Sequence, residues 1–159
     1  MKYYAGCYES PLGSLLMTSD GEALTGLSFV DEPPALQVTQ ALPVFADACR
    51  WLDLYFSGKV PDFTPQLSLQ GSDFRRAVWE ILLTIPYGQT ISYGEIADMI
   101  ARGRQLGKMS AQAVGGAVGH NPVDIIVPCH RVVGKDGSLT GYGGGLWRKE
   151  WLLKLENIT

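Results

Sequence analysis

The stretch NPVDIIVPCHR, residues 121–131, combines an apolar run with a cysteine directly before one of only two histidines of the chain. The run predicts a strand over 123–127. Pro128 cannot donate a backbone hydrogen bond, so it tends to end a strand and present the next residues at its edge. A thiol becomes a strong nucleophile only as the thiolate, which a neighbouring imidazole favours. Cys129 and His130 are therefore a candidate nucleophile and base, and a buried structural cysteine is an equally weighted alternative.

The composition is that of a globular protein, with 159 residues of which 46% are apolar and 18% charged. Three widely spaced cysteines indicate a reducing compartment rather than a disulfide framework. Two histidines without a CxxC motif do not predict a metal site. The N-terminus has no signal-peptide pattern, and no apolar run reaches membrane-spanning length, so we expect a cytoplasmic protein without a membrane partner.

The charge is unevenly distributed along the chain, whose net charge is −3. Residues 1–73 carry three basic and nine acidic side chains, whereas residues 74–159 carry ten basic and seven acidic ones. Binding of a polyanion depends on the local face rather than on the whole-chain charge. If the protein binds nucleic acid, the C-terminal half is therefore expected to make the contact.

The N-terminal half predicts three short strands at 3–8, 13–18 and 23–29, followed by a helix. Apolar residues recur at helical spacing over 44–55, and Gly58 is placed to end that helix. The segment 59–72 is rich in Pro, Gly, Ser and Gln and predicts a linker. We expect an α/β N-terminal domain over 1–70 and a second domain over 71–159.

The C-terminal half predicts helices that begin at capping serines. Ser72 precedes an amphipathic stripe, and Ser92 with Glu95 forms a capping-box pattern. Ser110 precedes a helix over 111–119 that contains two adjacent glycines, each costing roughly 1 kcal/mol relative to alanine. That helix either packs tightly on a neighbour or serves as the recognition helix of a helix-turn-helix. A last helix is predicted over 146–156, with Trp147, Trp151, Leu152 and Leu155 buried.

Two polar residues could support the Cys–His pair. A third group that holds the far side of the imidazole improves such a pair, and Glu156, near the end of the last helix, is the candidate. Spacing alone favours the alternative, a solvated carboxylate. Asn121 either forms the turn before Pro122 or ties down the backbone of Cys129. The glycine-rich loop 142–145 offers backbone amides beside an aromatic ring, which suits a flat heteroaromatic ligand.

The second half resembles the catalytic domain of O6-alkylguanine-DNA alkyltransferases, the methylated-DNA–protein-cysteine methyltransferases. Four stretches in the same order carry the resemblance: ISYGEIA at 91–97, AVGGA at 113–117, NP through PCHRVV at 121–133, and GY through KEWLL at 141–153. Residues 1–70 resemble the family's N-terminal domain only in length and in strand-then-helix order. The resemblance implies an α+β fold with a winged-helix-like second domain and a helix-turn-helix.

The resemblance also implies direct-reversal DNA repair in a single turnover by a monomer without cofactor or metal. Double-stranded DNA is bound in its minor groove, an O6-alkylguanine (or O4-alkylthymine) is flipped out, and its alkyl group passes irreversibly to Cys129. The implied catalytic residues are Cys129, His130, Glu156, Asn121 and Tyr93. The implied pocket comprises main-chain groups of Cys129 and Val132 with Tyr142, Gly143 and Gly144. The implied DNA contacts are Tyr93, Gln112, Ala113, Gly115, Gly116, Val118 and Arg131.

Three features depart from many members of that family. Gln112 stands where an arginine often fills the gap left by the flipped base, so we expect weaker DNA binding with the chemistry intact. Val118, at the position that wedges the neighbouring base step, is smaller than in some relatives. The connection 101–109 is long, and its basic residues are candidates for phosphate contacts.

Two other functions compete with this interpretation. A damage sensor that binds alkylated bases without transfer commonly has tryptophan in place of the cysteine, and Cys129 argues against it. A cysteine hydrolase unrelated to DNA leaves the glycine-rich helix unexplained.

Overall fold

A computed structural model describes residues 4–32, 42–103, 110–139 and 142–157. The chain divides into two compact units, one comprising residues 1–70 with 122–124 and the other comprising 71–121 with 125–159. Within the described ranges, none of the helices has the length and apolar character needed to cross a membrane.

The first unit is an antiparallel three-stranded meander with one helix. Strands β1 (Tyr4–Ser10), β2 (Gly13–Ser19) and β3 (Leu24–Val30) lie in the order β1-β2-β3, and helix α1 spans Pro43–Phe56. Alternating residues of β2 are buried, as expected for a sheet with one covered face. The buried residues of α1 recur at helical spacing and include Ala48, Leu52 and Tyr55, each fully buried. The predicted elements are confirmed, although the first predicted strand began at Tyr3, outside the described residues.

The predicted strand over 123–127 is wrong. Val123 makes only an isolated bridge to Leu27 of β3, and the following residues form turns. Ile125 has a φ of 70°, a left-handed conformation that is sterically unfavourable for a β-branched residue and incompatible with an extended strand. The apolar run is nevertheless buried. It predicted burial correctly, but a short apolar run does not by itself specify the backbone conformation.

The second unit is mainly helical. Its helices are α2 (Asp73–Leu82), α3 (Tyr93–Gly103), α4 (Ala111–Gly119) and α5 (Leu146–Leu155). Strands β4 (Ile91–Ser92) and β5 (Val132–Val133) form a two-stranded parallel ladder. A single 3-10 turn, Cys129–Arg131, leads directly into β5.

The capping serines start their helices as predicted. The Ser72 hydroxyl accepts a hydrogen bond from the Arg75 amide in α2, and the Ser92 hydroxyl accepts one from the Glu95 amide in α3. The Ser110 hydroxyl accepts hydrogen bonds from the amides of Gln112 and Ala113 in α4. Side-chain caps of this kind satisfy amides that have no partner inside the helix.

Helix α4 packs against α2 and α3 through its apolar side. Val114, Ala117 and Val118 are buried, and the indole Nε1 of Trp79 in α2 donates a 2.8 Å hydrogen bond to the Ala117 carbonyl. This packing fixes one face of α4 inside the unit and leaves the other face open. Part of the connection between α3 and α4, including Arg104 and Lys108, lies outside the described residues.

Candidate active site

The site is centred on the Cys129–Arg131 turn, which is buried throughout. Cys129 is 5% exposed and His130 fully buried. The Cys129 amide donates to the Val127 carbonyl at 2.8 Å, and the Asn121 side-chain amide donates to the same oxygen at 2.8 Å. Asn121 thus holds the Cys129 backbone indirectly, because both residues donate to the Val127 carbonyl.

Glu156 contacts the imidazole, and the alternative of a solvated carboxylate is wrong. Its Oε2 lies 2.6 Å from Nε2 of His130, and its side chain is fully buried. The helix α5 brings it there because Lys149, Leu152, Leu153 and Glu156 share the i, i+3, i+4, i+7 spacing of one buried face. Of the predicted buried face, only Leu152 is fully buried, and Trp147 is 56% exposed.

The pKa values of this pair are shifted so that the carboxylate is ionised and the imidazole neutral. Burial alone would raise the pKa of Glu156, but its hydrogen bonds to His130 and Arg131, together with the charge of Arg131, lower it to about 2. Burial lowers the pKa of His130, and Glu156 opposes this only in part. A neutral imidazole that donates from Nε2 to a carboxylate has its lone pair on Nδ1, so Nδ1 is the nitrogen able to accept a proton.

Two buried cations near the cysteine were not predicted as partners of the Cys–His–Glu network. Lys149 is fully buried, and its Nζ donates a 2.6 Å hydrogen bond to the Val132 carbonyl. Burial lowers the pKa of Lys149, whereas the charge of Cys129 acts in the opposite direction. In its ammonium form Lys149 therefore favours the thiolate of Cys129. The spacing of Lys149 before Leu152 and Glu156 is the sequence signal that could have revealed it.

Arg131 is the second buried cation, and its predicted role as a DNA contact needs correction. The side chain is 9% exposed and forms an ion pair with Glu156 at 2.8 Å instead of facing outward. Val118, the predicted wedge, also needs correction because it is 6% exposed and lies on the packed face of α4. Both residues are buried within the second unit.

Four of the other predicted DNA contacts lie on α4, and the fifth, Tyr93, begins α3. Gln112, Ala113 and Gly116 are exposed, and a Cβ atom at Gly116 would meet nothing within 4 Å. Gly115 is half-buried, and a Cβ atom there would lie 3.9 Å from the ring of Tyr93. The face is therefore flat, and α4 carries no charged side chain.

A pocket of about 620 Å³ lies beside this face of α4. It brings together residues from three predicted motifs, namely Tyr93, Ala111, Gln112, Gly115, Gly119, Tyr142 and Gly143. Ala111 and Gly119 were not predicted as site residues. Gly144 adjoins the pocket-lining loop, and its carbonyl accepts a 2.7 Å hydrogen bond from Nη1 of Arg148. Among the residues that the structure describes, no three His, Cys, Asp or Glu side chains are grouped so that they could hold a metal ion.

Fold and site together define a protein in which one unit contains a buried Cys–His–Glu network and a helix with an open glycine face. Two family models match: the DNA-binding domain of 6-O-methylguanine DNA methyltransferase matches residues 73–158, and the ribonuclease-like domain of the same protein matches residues 3–69. The chain belongs to the 6-O-methylguanine DNA methyltransferase family, which confirms the resemblance.

Individual relatives agree with the family assignment. A methylated-DNA–protein-cysteine methyltransferase from Mycobacterium tuberculosis is 48% identical over 151 residues, covering 93% of this chain and 88% of the relative. One from Haemophilus influenzae is 43% identical over 160 residues, covering 98% and 87%. The crystal structure of M. tuberculosis OGT in complex with DNA matches with a TM-score of 0.81 and 47% identity, covering 97% of this chain and 91% of that one. The α+β fold with a helical second domain is thereby confirmed.

Proposed function

We propose that this protein repairs DNA by direct reversal, transferring the alkyl group of an O6-alkylguanine to Cys129 in a single turnover. The observation that carries the proposal is the 2.6 Å contact between His130 and Glu156 beside a buried cysteine, in a chain of this family. Relatives named methylated-DNA–protein-cysteine methyltransferase support the reaction, and the relative solved with DNA supports the partner. The protein acts as a methylated-DNA–protein-cysteine methyltransferase.

The first step of the mechanism is deprotonation of the thiol. Nδ1 of His130 takes the proton through a water molecule, because Nε2 is bonded to Glu156. The ionised Glu156 stabilises the imidazolium that forms, and Lys149 stabilises the thiolate. The low exposure of Cys129 keeps bulk water away and strengthens these interactions.

The second step is displacement at the alkyl carbon. The thiolate of Cys129 forms a carbon–sulfur bond while the bond from that carbon to guanine O6 breaks, and the electron pair of that bond leaves with the guanine. Tyr93 supplies a proton to the leaving base and later recovers one from solvent. The thioether is chemically stable, so each molecule reacts once.

The substrate reaches the cysteine as a flipped nucleotide. The open face of α4 lies in the DNA groove, with Gln112 occupying the gap left by the extruded base and Ala113 and Gly116 close to the backbone. The base enters the pocket that Tyr93, Tyr142 and Gly143 line. Stacking on aromatic rings and hydrogen bonds from main-chain groups suit a purine.

Intact-mass measurement after mixing the protein with duplex DNA that carries O6-methylguanine tests the proposal. We expect the gain of one methyl group, located on Cys129 and stopping at one equivalent. Cys129→Ser should gain none while still binding the DNA. Cys49→Ser is the matched control, since Cys49 is a half-buried cysteine of the first unit, and it should react like the wild type.

Two results would count against alkyl transfer. Binding of the lesion with an unmodified Cys129 would support the damage-sensor alternative. Repeated turnover, with more than one methylated base consumed by each protein molecule, would support a hydrolytic mechanism.

A further inference from the structure

Arg131 makes a two-pronged contact with the carboxylate of Glu156. Its Nε donates to Oε1 at 2.8 Å, and its Nη2 donates to Oε2 at 3.2 Å. The remaining terminal nitrogen, Nη1, donates to the Ile85 carbonyl at 2.7 Å, in the segment after α2. The planar guanidinium is thus anchored at both ends, and a bidentate pair of this kind fixes the carboxylate in rotation as well as in position.

The two oxygens of Glu156 share Arg131 but differ in their other partners. Oε1 accepts from Arg131 and from the Gly88 amide, the latter at 3.0 Å. Oε2 accepts from His130 at 2.6 Å. Because the arginine and the Gly88 amide hold Oε1, the carboxylate presents Oε2 to the imidazole in a single orientation.

The charge of Arg131 acts on the same pair. A guanidinium is protonated at all working pH values, so its effect on Glu156 persists when His130 is neutral. An ionised carboxylate can only accept hydrogen bonds, so the imidazole nitrogen facing it must be the one that bears a proton. A protonated carboxyl group or an amide in that place could donate instead and would allow the opposite tautomer.

We propose that Arg131 is a positioning residue that holds Glu156 ionised and oriented, selects the Nε2-protonated tautomer of His130, and so leaves Nδ1 to take the proton of the Cys129 thiol. The step that involves the thiol rests on the proposed function, whereas tautomer selection does not. This role replaces the predicted DNA contact.

The pH dependence arises from the groups around His130. Lys149 in α5 and Glu156 just after it face the imidazole, and Cys129 and Arg131 flank it within its own turn. The ring of Tyr87 packs against Arg131, with 5.7 Å between the guanidinium carbon and the ring centre. The charges of Arg131 and Lys149 disfavour a second charge on the imidazole. Loss of the arginine charge therefore raises the pKa of His130, and the low-pH decline of the transfer rate should move to higher pH.

Two substitutions separate charge from geometry. Arg131→Gln removes the charge, so we expect a single-turnover rate about a hundredfold lower at neutral pH, the lower end of a general-base contribution. The decline of its transfer rate at low pH should also move to higher pH. Arg131→Lys keeps the charge but cannot form the two-pronged contact, so the decline should stay in place while the rate falls about tenfold. Arg76→Gln, which breaks an exposed 2.6 Å pair with Asp73, is the control and should change neither.

Nitrogen-15 NMR of the imidazoles reads the tautomer directly and needs no substrate. The chain has two histidines, so a His120→Gln variant assigns the His130 signals. We expect Nε2 protonated in the wild type and in Arg131→Lys, and a mixture or the Nδ1-protonated form in Arg131→Gln. Thermal unfolding identifies any variant that does not fold. If Arg131→Gln does not fold, Arg131→Lys still tests the proposal, because we expect its transfer rate to fall while the tautomer of His130 stays unchanged.

Three outcomes overturn the proposal: an unchanged tautomer in folded Arg131→Gln, a rate loss in that variant without movement of the low-pH decline, or an unchanged rate in Arg131→Lys. The last two apply to a wild type that accepts the methyl group. A wild-type protein that takes up no methyl group refutes the proposed function instead, and the NMR result still decides whether Arg131 selects the tautomer.

Discussion

Helix α4 and the Cys129–Arg131 turn belong to the same unit but use charge in opposite ways. The turn and its partners bury five ionisable side chains, each residue at most 7% exposed: Cys129, His130, Arg131, Lys149 and Glu156. Helix α4 has no charged residue and exposes a flat surface around Gly116. The turn can therefore act through electrostatics in a medium of low dielectric constant, whereas α4 can act mainly through shape.

Reaction rate and DNA affinity should consequently be separable in this protein. Substitutions around Glu156 should alter the rate with little effect on affinity, because the carboxylate is buried. Substitutions on the open face of α4 should do the reverse. An effect that appears on the wrong quantity would contradict this division between the two regions.

The largest expected effect belongs to Glu156→Gln. The amide has no charge to stabilise the imidazolium and can donate toward His130, so we expect the single-turnover transfer rate to fall by roughly 10² to 10⁴ at unchanged DNA affinity. Rapid-quench kinetics measure the rate and fluorescence anisotropy the affinity. Glu150→Gln, which breaks an exposed pair with Lys154, is the control in the same helix. A rate within about twofold of wild type would remove Glu156 from the mechanism.

The second prediction concerns acid stability. The pKa of Glu156 is about 2 in the folded protein against an ordinary value of 4.5. A lowered folded-state pKa gives stability that is present above the unfolded value and is lost as pH falls from 4.5 toward 2. The shift corresponds to about 3 kcal/mol. Urea unfolding at about pH 6 and about pH 3 should show part of this loss in the wild type, because the loss is complete only below pH 2. The Glu156→Gln variant should lack that contribution to the pH dependence.

The sequence was sufficient wherever the determining interactions are local. Ser72, Ser92 and Ser110 cap their helices across two or three residues, and such caps follow from backbone geometry alone. His130 beside Cys129 is adjacent in the chain. Glu156 was found because the chemistry of a Cys–His pair asks for an acceptor, not because of its spacing.

The sequence was insufficient where partners are distant. Arg131 bonds to Glu156 and Ile85, which lie 25 and 46 residues away, and Lys149 bonds to Val132, 17 residues away. Charged residues are usually exposed, so composition argued against burying either cation. Trp147 was predicted to be buried and is exposed, because a large apolar side chain is buried only on average.

The third prediction adds charge to α4. Gln112→Arg places a cation on the open face, so DNA affinity should rise about tenfold at low salt, and the slope of log affinity against log salt should steepen by about 0.9. The transfer rate at saturating DNA should not change, because Gln112 does not contact the buried network. Gln70→Arg adds the same charge at an exposed position of the first unit and should leave affinity nearly unchanged. Equal gains from both variants would indicate a general charge effect.

The smallest effect is expected from Gly116→Ala, and it has opposite signs in two measurements. Because a Cβ atom there meets nothing within 4 Å, the free protein should gain about 1 kcal/mol of unfolding free energy from the better helix former. The same methyl group stands on the face proposed to approach DNA, so affinity should fall severalfold. Gly103→Ala is the control, since it also meets nothing within 4 Å but lies at the end of α3, outside α4, and should leave affinity unchanged. A stabilised Gly116→Ala protein with wild-type affinity would mean that close backbone approach is not how α4 binds DNA, and the two regions would then no longer differ as proposed.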